Sequence, residues 1–328
     1  MYCSFGSTPK AAPDELDTKG GFRVVDEIAD FGASWLGLSG GEPFLRQDIF
    51  EIIHHARDVG LKVSLITNGS LVGEQIYENL VKNEVRTSIS LDGSEMSNDS
   101  LRGRGAYKKA IAAMQKLSEA GILDCLVTTV TNVNYKEIDY VVEMGKEYKA
   151  RWVVIHNMVP VGNAKEHLQL APSPEQYEWF WNHVVHDLTP KYKGTLDINV
   201  YCPFYARVVK DNGMRDFRVW YQNEFLGKCT MGGQYVGLVE NGDVRPCGFN
   251  EGYRLGNIMN RSLRDIWDEL QRLEFHAKIR DLRNLKGKCG VCEYREICGG
   301  CRTRAEIYTG DIFESDPACA YVPKCLHK

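Results

Sequence analysis

The sequence predicts an α/β fold in which helices cover a parallel sheet and a smaller cysteine-rich region follows. Amphipathic helical segments alternate with short apolar runs between about residues 20 and 160, in units of roughly 25–35 residues. Nine of the eleven cysteines lie after residue 200. A chain of 328 residues is long enough for one large domain or two modest ones.

Hydrophobic periodicity defines the individual elements of this fold. It predicts helices over residues 21–31, 47–58, 73–82, 105–120 and 135–148. The apolar runs between them predict strands over residues 35–38, 62–66, 86–91, 124–131 and 151–157. The composition changes near residue 200, which predicts two domains over residues 1–200 and 201–328.

Composition and charge exclude several classes of protein. Hydrophobic residues make up 43% of the chain and charged residues 26%, as in ordinary globular proteins. The net charge of −4 gives no electrostatic reason to expect a nucleic acid or an anionic membrane as partner. No apolar run approaches the roughly 18 residues of a membrane span, and the N-terminus lacks the features of a signal peptide. We therefore expect a cytoplasmic protein whose thiols stay reduced.

Small and polar residues follow three successive predicted strands. Any one of these turns is ordinary loop chemistry, because Gly, Asn and Asp dominate turns. Ligand sites of parallel sheets are built at the carboxyl ends of the strands, so three such turns in phase favour a ligand site. The turns contain Gly40, Gly41, Glu42 and Pro43, then Asn68, and then Ser90 and Asp92.

The cysteines of the C-terminal region are spaced like metal ligands. Four of them form two closely spaced pairs, Cys289 with Cys292 and Cys298 with Cys301. Paired cysteines are typical of structural zinc sites, and dense thiolate arrays also suit iron–sulfur clusters, so the spacing alone leaves both open. The remaining cysteines of the region are Cys202, Cys229, Cys247, Cys319 and Cys325.

Together these residues resemble the radical S-adenosylmethionine (radical SAM) superfamily, in the branch with a C-terminal SPASM domain. The resemblance implies a partial (β/α)6 barrel with a [4Fe–4S] cluster on a Cys-x3-Cys-x2-Cys loop after its first strand. That cluster reduces S-adenosylmethionine and releases a 5′-deoxyadenosyl radical. The resemblance also implies two auxiliary [4Fe–4S] clusters in the SPASM domain and a low-potential electron donor as partner.

The resemblance assigns the three turns to S-adenosylmethionine. Residues 40–43 are similar to the motif that binds the methionine amino group, and Asn68 faces the same cavity. Ser90 and Asp92 resemble residues that face the nucleoside and methionyl ends. Arg102 resembles the arginine that meets the methionyl carboxylate, for which a guanidinium is well suited. Residues 158–164 resemble the turn that closes around the cofactor.

The resemblance also divides the C-terminal cysteines between two auxiliary clusters. One would be held by Cys229, Cys247 and Cys301, with Cys202, an exogenous ligand or substrate as the fourth ligand. The other would be held by Cys289, Cys292, Cys298 and Cys319. The spacing departs from the family pattern at one point, since two residues rather than three separate Cys298 from Cys301.

Cys3 resembles the third cysteine of the catalytic cluster loop, with Tyr2 as the aromatic residue before it. By this alignment the chain lacks the first strand of the barrel and the other two cluster cysteines. As written, it is expected neither to hold the catalytic cluster stably nor to cleave S-adenosylmethionine. Either the start is placed at an internal methionine or the chain is a fragment. In the first case, the upstream codons should encode Cys immediately before Met1 and again four residues earlier.

Sequence around the last cysteines points to a substrate class. Arg302, Arg304, Asp311 and Asp316 lie in segments that resemble radical SAM enzymes processing tetrapyrrole side chains in heme or modified-heme biosynthesis. One alternative is an enzyme that matures a peptide or protein. Another, from a different class, is a non-catalytic iron–sulfur electron carrier that keeps only the C-terminal clusters. No side chain is identified as a general acid or base.

Overall fold

The computed structural model describes residues 3, 6, 8, 10–213, 229, 231, 233 and 236–327. Tyr2, the aromatic residue of the predicted cluster loop, lies outside the described residues. Six parallel strands form the main sheet in the order β1-β2-β3-β4-β5-β6, so that every strand pairs with its neighbour in sequence. The strands are β1 (Trp35–Leu38), β2 (Lys62–Thr67), β3 (Arg86–Ser90), β4 (Leu123–Val130), β5 (Trp152–Asn157) and β6 (Asp197–Tyr201).

Helices connect these strands and cover one face of the sheet. They are α1 (Thr18–Asp30), α2 (Ile49–Asp58), α3 (Glu74–Lys82), α4 (Glu95–Arg102), α5 (Ala106–Glu119), α6 (Ile138–Glu147), α7 (Pro174–His183), α8 (Thr189–Tyr192) and α9 (Tyr205–Asp211). Short 3-10 segments span Pro43–Leu45 and Gly162–Leu170, and a π-helical turn spans Val184–Leu188. Side-chain caps start some of the helices, as where Asp17 accepts a hydrogen bond from the amide of Gly20.

Alternation along the strands separates an apolar face from a polar one. Leu65, Ile89, Leu126 and Val153 are fully buried under the helices, where they form the main core of the molecule. Side chains of the opposite parity include several polar groups, and those near the carboxyl ends of the strands, such as Ser90, Thr129 and His156, are only half-buried. This second face is the concave side of a half-barrel.

The predicted helices and strands are confirmed to within a few residues at their ends. Helix α4, strand β6, helices α7, α8 and α9 and the elements of the C-terminal region were not predicted from the sequence. Helix α4 (Glu95–Arg102) has eight residues and is mostly polar, and its two apolar side chains, Met96 and Leu101, are too few to define a helical pattern. Strand β6 (Asp197–Tyr201) follows a stretch of irregular helices that gives no regular spacing, and its place beside β5 depends on pairing between distant residues.

The C-terminal region is built from short elements. A three-stranded antiparallel sheet contains β7 (Gly237–Leu238), β8 (Asp243–Arg245) and β9 (Gly256–Asn257). The helices are α10 (Leu263–Arg272), α11 (Glu274–Arg280), α12 (Gly287–Val291) and α13 (Arg302–Thr309), with 3-10 turns at Leu282–Asn284, Arg295–Ile297 and Lys324–Leu326.

Helix α1 joins the two regions. It packs on α2 in the first region, while Phe31 at its C-terminal end contacts Trp267 of α10 edge to face. Glu27 accepts a hydrogen bond from the amide of Leu263 at the start of α10. None of the helices in the described part of the chain is long and apolar enough to cross a membrane.

Candidate functional site

The concave face of the half-barrel carries a row of half-buried side chains near the carboxyl ends of the strands. Strand pairing aligns Ser90 with Val127, Thr129 with His156, and His156 with Tyr201. The rings of His156 and Tyr201 stack with centroids 4.4 Å apart. Burial lowers the pKa of His156 to about 4, so its imidazole is neutral at pH 7. Sequence analysis missed this histidine and this tyrosine, because only the strand register places them at the mouth of the barrel.

Glu42 connects the first of the predicted turns to the second. Its carboxylate accepts hydrogen bonds from the hydroxyl of Thr67 at 2.7 Å and from the amide of Asn68 at 2.9 Å. Burial raises its pKa, although the hydrogen bonds from Thr67, Asn68 and Phe44 oppose this effect. A partly desolvated carboxylate gains most from a cation, and the exposed backbone of Gly40 and Gly41 lies directly beside it. The geometry therefore suits an ammonium ligand.

Asn68 and Pro43 stabilise the backbone conformation of these turns. The side-chain oxygen of Asn68 accepts a hydrogen bond from the amide of Ser70 at 2.7 Å, which is a local Asx turn. Pro43 occupies the first position of the 3-10 turn that Glu42 caps. Gly40 has φ of +127°, a conformation that favours glycine.

Asp92 lies beneath the site and holds Arg102 in place. Asp92 is fully buried, and its carboxylate accepts hydrogen bonds from Nε of Arg102 at 2.5 Å and from the amide of Thr129 at 2.9 Å. The side chain of Asn134 donates to the backbone carbonyl of Asp92 at 3.0 Å. Arg102 remains 24% exposed. The structure thus assigns Asp92 a positioning role, while Arg102 and the half-buried Ser90 remain accessible to a ligand.

Cys3 lies at the same end of the barrel. Its backbone carbonyl accepts a hydrogen bond from the amide of Gly6 at 3.4 Å, and this short loop packs against Gly162 after β5. A side chain at position 162 would bring its Cβ within 2.2 Å of the nitrogen of Gly6, and Gly162 has φ of +55°. The close approach of the two backbones therefore requires glycine at position 162.

The C-terminal cysteines separate into two groups in space. The first thiol group consists of Cys229, Cys247 and Cys301. Burial of Cys247, together with the neighbouring Cys229 and Cys301, raises the pKa of Cys247 to about 12. The second thiol group lines a single cavity together with Phe204, Arg207 and Tyr321. The members of the second group are Cys289, Cys292, Cys298 and Cys319.

The second thiol group fits an iron–sulfur cluster in number and chemistry. Four cysteine sulfurs around one cavity are the donor set of a [4Fe–4S] cluster. Burial raises the pKa of Cys319 to about 11, and it raises that of Cys298 well above its ordinary value. Metal binding would remove these protons. Among the described residues, no three Cys, His, Asp or Glu side chains are arranged to hold a single metal ion.

Cys202, the predicted fourth ligand of the first auxiliary cluster, has neighbours of its own in the structure. It is buried at the end of β6, its sulfur accepts a hydrogen bond from the side chain of Asn157 at 3.0 Å, and its charge acts on Cys298 of the second group. Cys125 is buried in β4, where its thiol donates to the hydroxyl of Ser88. Cys325 is exposed.

A buried ion pair joins the cysteine loops to the barrel. Arg304 donates from Nε and Nη2 to the two carboxylate oxygens of Asp316 at 2.7 and 2.6 Å, and both side chains are almost completely buried. Asp316 also accepts from the amide of Cys301, while Arg304 reaches the carbonyl of Met158 after β5. The motif that suggested a substrate class therefore has a structural role, since it positions Cys301 and Cys319 against the barrel.

A second cavity lies between the two regions. It is open, has a volume of about 200 Å³ and is lined mainly by apolar and aromatic side chains. Met158, Leu168 and Tyr177 line it from the barrel, and Tyr308 and Pro317 line it from the C-terminal region.

Comparison with known proteins agrees with this organisation. The radical SAM superfamily model matches residues 1–146, and the SPASM model, an iron–sulfur cluster-binding domain, matches residues 229–302. An AdoMet-dependent heme synthase of Methanosarcina barkeri is 34% identical over 332 residues, which cover 98% of this chain and 93% of the relative. An Fe-coproporphyrin III synthase of the same organism is 28% identical, with coverage of 93% and 80%. A PqqA peptide cyclase of Bradyrhizobium diazoefficiens is 30% identical, with coverage of 100% and 83%.

Two solved structures share the fold. SuiB of Streptococcus suis bound to S-adenosylmethionine superposes with a TM-score of 0.72 at 21% identity, covering 98% of this chain and 74% of that one. The native anSMEcpe structure with bound AdoMet gives a TM-score of 0.71 at 19% identity, covering 95% and 88%. The fold, the two family models and the relative that is 34% identical over nearly the whole chain lead to one conclusion: the chain belongs to the radical SAM superfamily, in the branch with a SPASM domain.

Proposed function

We propose that this radical SAM enzyme is an oxidoreductase that modifies side chains of a tetrapyrrole in heme or modified-heme biosynthesis. The observation that carries the proposal is that several candidate ligand-binding residues lie together at the carboxyl ends of the strands of the half-barrel. Glu42, Ser90 and Arg102 lie there beside the polar concave face, and Cys3 lies at the same end of the barrel. A cavity shared with the C-terminal region is lined from the barrel by Met158, just after β5, and by Tyr177.

The residues of this edge match the two charged ends of an amino acid. The carboxylate of Glu42 and the backbone carbonyls of Gly40 and Gly41 would receive the methionyl ammonium, and Arg102, oriented by Asp92, would receive the methionyl carboxylate. Cys3 would supply one thiolate to the catalytic iron–sulfur cluster. When bound, that cluster and S-adenosylmethionine supply a 5′-deoxyadenosyl radical.

The C-terminal cysteines support two auxiliary iron–sulfur clusters. The second thiol group presents four sulfurs to one cavity, which is a complete ligand set. The first thiol group offers three sulfurs, and its fourth ligand would come from outside this group. Cys202, whose sulfur accepts a hydrogen bond from Asn157, is one candidate for that ligand.

The lining of the cavity between the two regions favours a flat, apolar substrate. Tyr177 and Tyr308 contribute aromatic surface, and Leu168 and Pro317 contribute aliphatic surface, which would suit contact with part of an apolar macrocycle. The relatives named as heme synthases point to the same substrate class.

Turnover of a tetrapyrrole tests this function directly. The protein is expressed from its full reading frame, with the upstream codons that are expected to supply the two further cysteines of the catalytic cluster. It is then reconstituted anaerobically with iron and sulfide and incubated with S-adenosylmethionine, reductant and Fe-coproporphyrin III. We expect 5′-deoxyadenosine to form faster with the tetrapyrrole than without it, together with a lighter porphyrin product. Arg102→Met should abolish both signals, while Arg104→Met, a neighbouring arginine, should retain them.

Peptide maturation is the competing function, because PqqA peptide cyclases are also among the relatives. Replacing Fe-coproporphyrin III with a PqqA peptide in the same assay separates the two. Stimulation by the peptide and none by the tetrapyrrole would reject the proposed substrate class. Formation of no 5′-deoxyadenosine with either substrate would reject catalysis by this chain and would favour an electron carrier.

A further inference from the structure

Arg207 of helix α9 is a buried arginine in the wall of the cavity of the second thiol group. Its side chain is only 3% exposed, and it lines the cavity beside Cys298 and Cys319, whose charges act on it. Its guanidinium lies over the ring of Tyr321, 5.0 Å from the centroid. A cation at this depth needs partners for each of its N–H groups.

Both terminal nitrogens of Arg207 have an acceptor. Nη1 donates to one carboxylate oxygen of Glu178 at 2.8 Å, and Nη2 donates to the other. Asp211 lies 3.7 Å from Nη1. In the part of the chain that the structure describes, the buried Nε–H of Arg207 has no hydrogen-bond partner. An unsatisfied buried donor costs about 1–3 kcal/mol of the free energy of unfolding. The Nε–H group of Arg207 therefore needs an acceptor from a bound group.

The other two cations of the cavity wall differ from Arg207. The ammonium group of Lys288 donates a hydrogen bond to the backbone carbonyl of Cys319. Arg295 donates to the carbonyl of Gly290 at 3.0 Å and pairs with Glu296 at 3.2 Å, and its side chain is 30% exposed. Arg207 therefore combines deep burial with an unpartnered donor. The carboxylate of Asp316, which also lines the cavity, is paired with Arg304, and the cavity presents four cysteine sulfurs as further acceptors.

We propose that Arg207 donates its Nε–H to a cysteine sulfur of the iron–sulfur cluster held by the second thiol group, and that it thereby raises the reduction potential of that cluster. This inference rests on the proposed function, which places a cluster in the cavity. A hydrogen bond to a ligating sulfur withdraws negative charge and stabilises the reduced cluster, which carries one more electron. The ion pair with Glu178 fixes the guanidinium, so the donor is preorganised.

Two arginine variants and a matched control test this role in the reconstituted full chain. Arg207→Lys keeps a cation opposite Glu178 but removes the Nε–H, and Arg207→Met removes both. Arg295→Met removes a charge from the same cavity wall without removing an unpartnered donor. Iron content and thermal melting establish that each variant is folded and loaded, and if Arg207→Met loses iron, Arg207→Lys carries the test.

The readout is a potentiometric titration followed by electron paramagnetic resonance. Cys298→Ala first identifies the signal of this cluster, because that signal and about four iron atoms should disappear. In both Arg207 variants we expect the ratio of reduced to oxidised cluster at the wild-type midpoint to fall about tenfold, a negative shift of about 59 mV for one electron. Arg295→Met should shift it much less.

The possible outcomes distinguish failure of this inference from failure of the proposed function on which it rests. If the Arg207 variants shift the midpoint no more than Arg295→Met does, Arg207 is only a structural partner of Glu178 and the inference is wrong. If Cys298→Ala leaves the iron content and every signal unchanged, no cluster occupies the cavity, and the proposed function itself loses its auxiliary site.

Discussion

The main sheet and the C-terminal region of this protein are stabilised in different ways. The sheet has six hydrogen-bonded parallel strands and one continuous apolar core beneath its helices. The C-terminal region has strands of two or three residues and two small apolar groups, one around Val244 and one around Met231. Instead of a large core it has the buried pair of Arg304 with Asp316 and two groups of thiols. A region with so little apolar burial depends on ion pairs and bound metal for its order.

The largest expected effect in this comparison is on metal content. We propose that each thiol group holds its own cluster. Cys298→Ala and Cys247→Ala should then each remove about four of about eight auxiliary iron atoms, and the double variant should remove all of them. Iron and acid-labile sulfide assays after anaerobic reconstitution measure this. Cys325→Ser, at an exposed cysteine, should retain the full iron content. Loss of all iron from one single variant would contradict two independent sites.

Breaking the buried ion pair should have the next largest effect. Arg304→Met leaves the fully buried carboxylate of Asp316 without its cation, which costs about 3–5 kcal/mol of the free energy of unfolding. Burial alone would raise the pKa of Asp316, and Arg304 is what holds it below its ordinary value. Chemical denaturation followed by circular dichroism measures the loss. Arg283→Met, in an exposed pair with Asp281, should leave stability unchanged, and equal losses in the two variants would contradict the role of burial.

Replacing a buried leucine with alanine should reduce stability more in the core of the main sheet than in the C-terminal region. Leu126→Ala removes a fully buried side chain from the middle of the sheet and should cost about 5 kcal/mol, since the surrounding strands cannot collapse into the cavity. Leu263→Ala, in the small apolar group around Val244, should cost about 2 kcal/mol because that site lies nearer the surface and can relax. Denaturant titration measures both values, and the reverse order would refute the comparison.

The smallest expected effect is a pH dependence within the first region. Burial lowers the pKa of His183, but its hydrogen bonds to Asp139 of α6 and to Asp187 raise it above its ordinary value overall. A raised folded-state pKa means that the charged histidine stabilises the fold below about pH 6.5, and that this contribution is lost as the pH rises through the folded-state pKa.

Melting temperatures measured at two pH values check this dependence. His183→Gln should lower the melting temperature at pH 5.5 and change it little at pH 8.5. His186→Gln, at a neighbouring histidine that meets the amide of Asn212 rather than carboxylates, should show no such difference. An equal loss for His183→Gln at both pH values would show that the ring acts through packing, for example its stacking on Trp179.

Much of the sheet was predictable because its signals are local. The apolar runs that became β2 and β5 are bounded by turn residues, and the helices between them have regular apolar spacing. The turn residues Glu42, Asn68 and Ser90 were recognisable from their order along the chain. Asp92 was expected to face the cofactor, and its observed position beneath Arg102 depends on contacts with Thr129 and with residues still farther along the chain.

By itself, the sequence determined the α/β class, the order of the first five strands, the superfamily and the spacing of the cysteines, because short segments of the chain carry each of these signals. The resemblance had also grouped the four cysteines that line one cavity in the structure. Only the tertiary structure decided that Cys202 lies beside Asn157, that His156 stacks on Tyr201 and that Arg207 lines the cavity of the second thiol group. These outcomes depend on the register of paired strands and on contacts between residues far apart in the chain. No local pattern of side chains encodes such contacts, so they emerge when the sheet and the C-terminal region pack together.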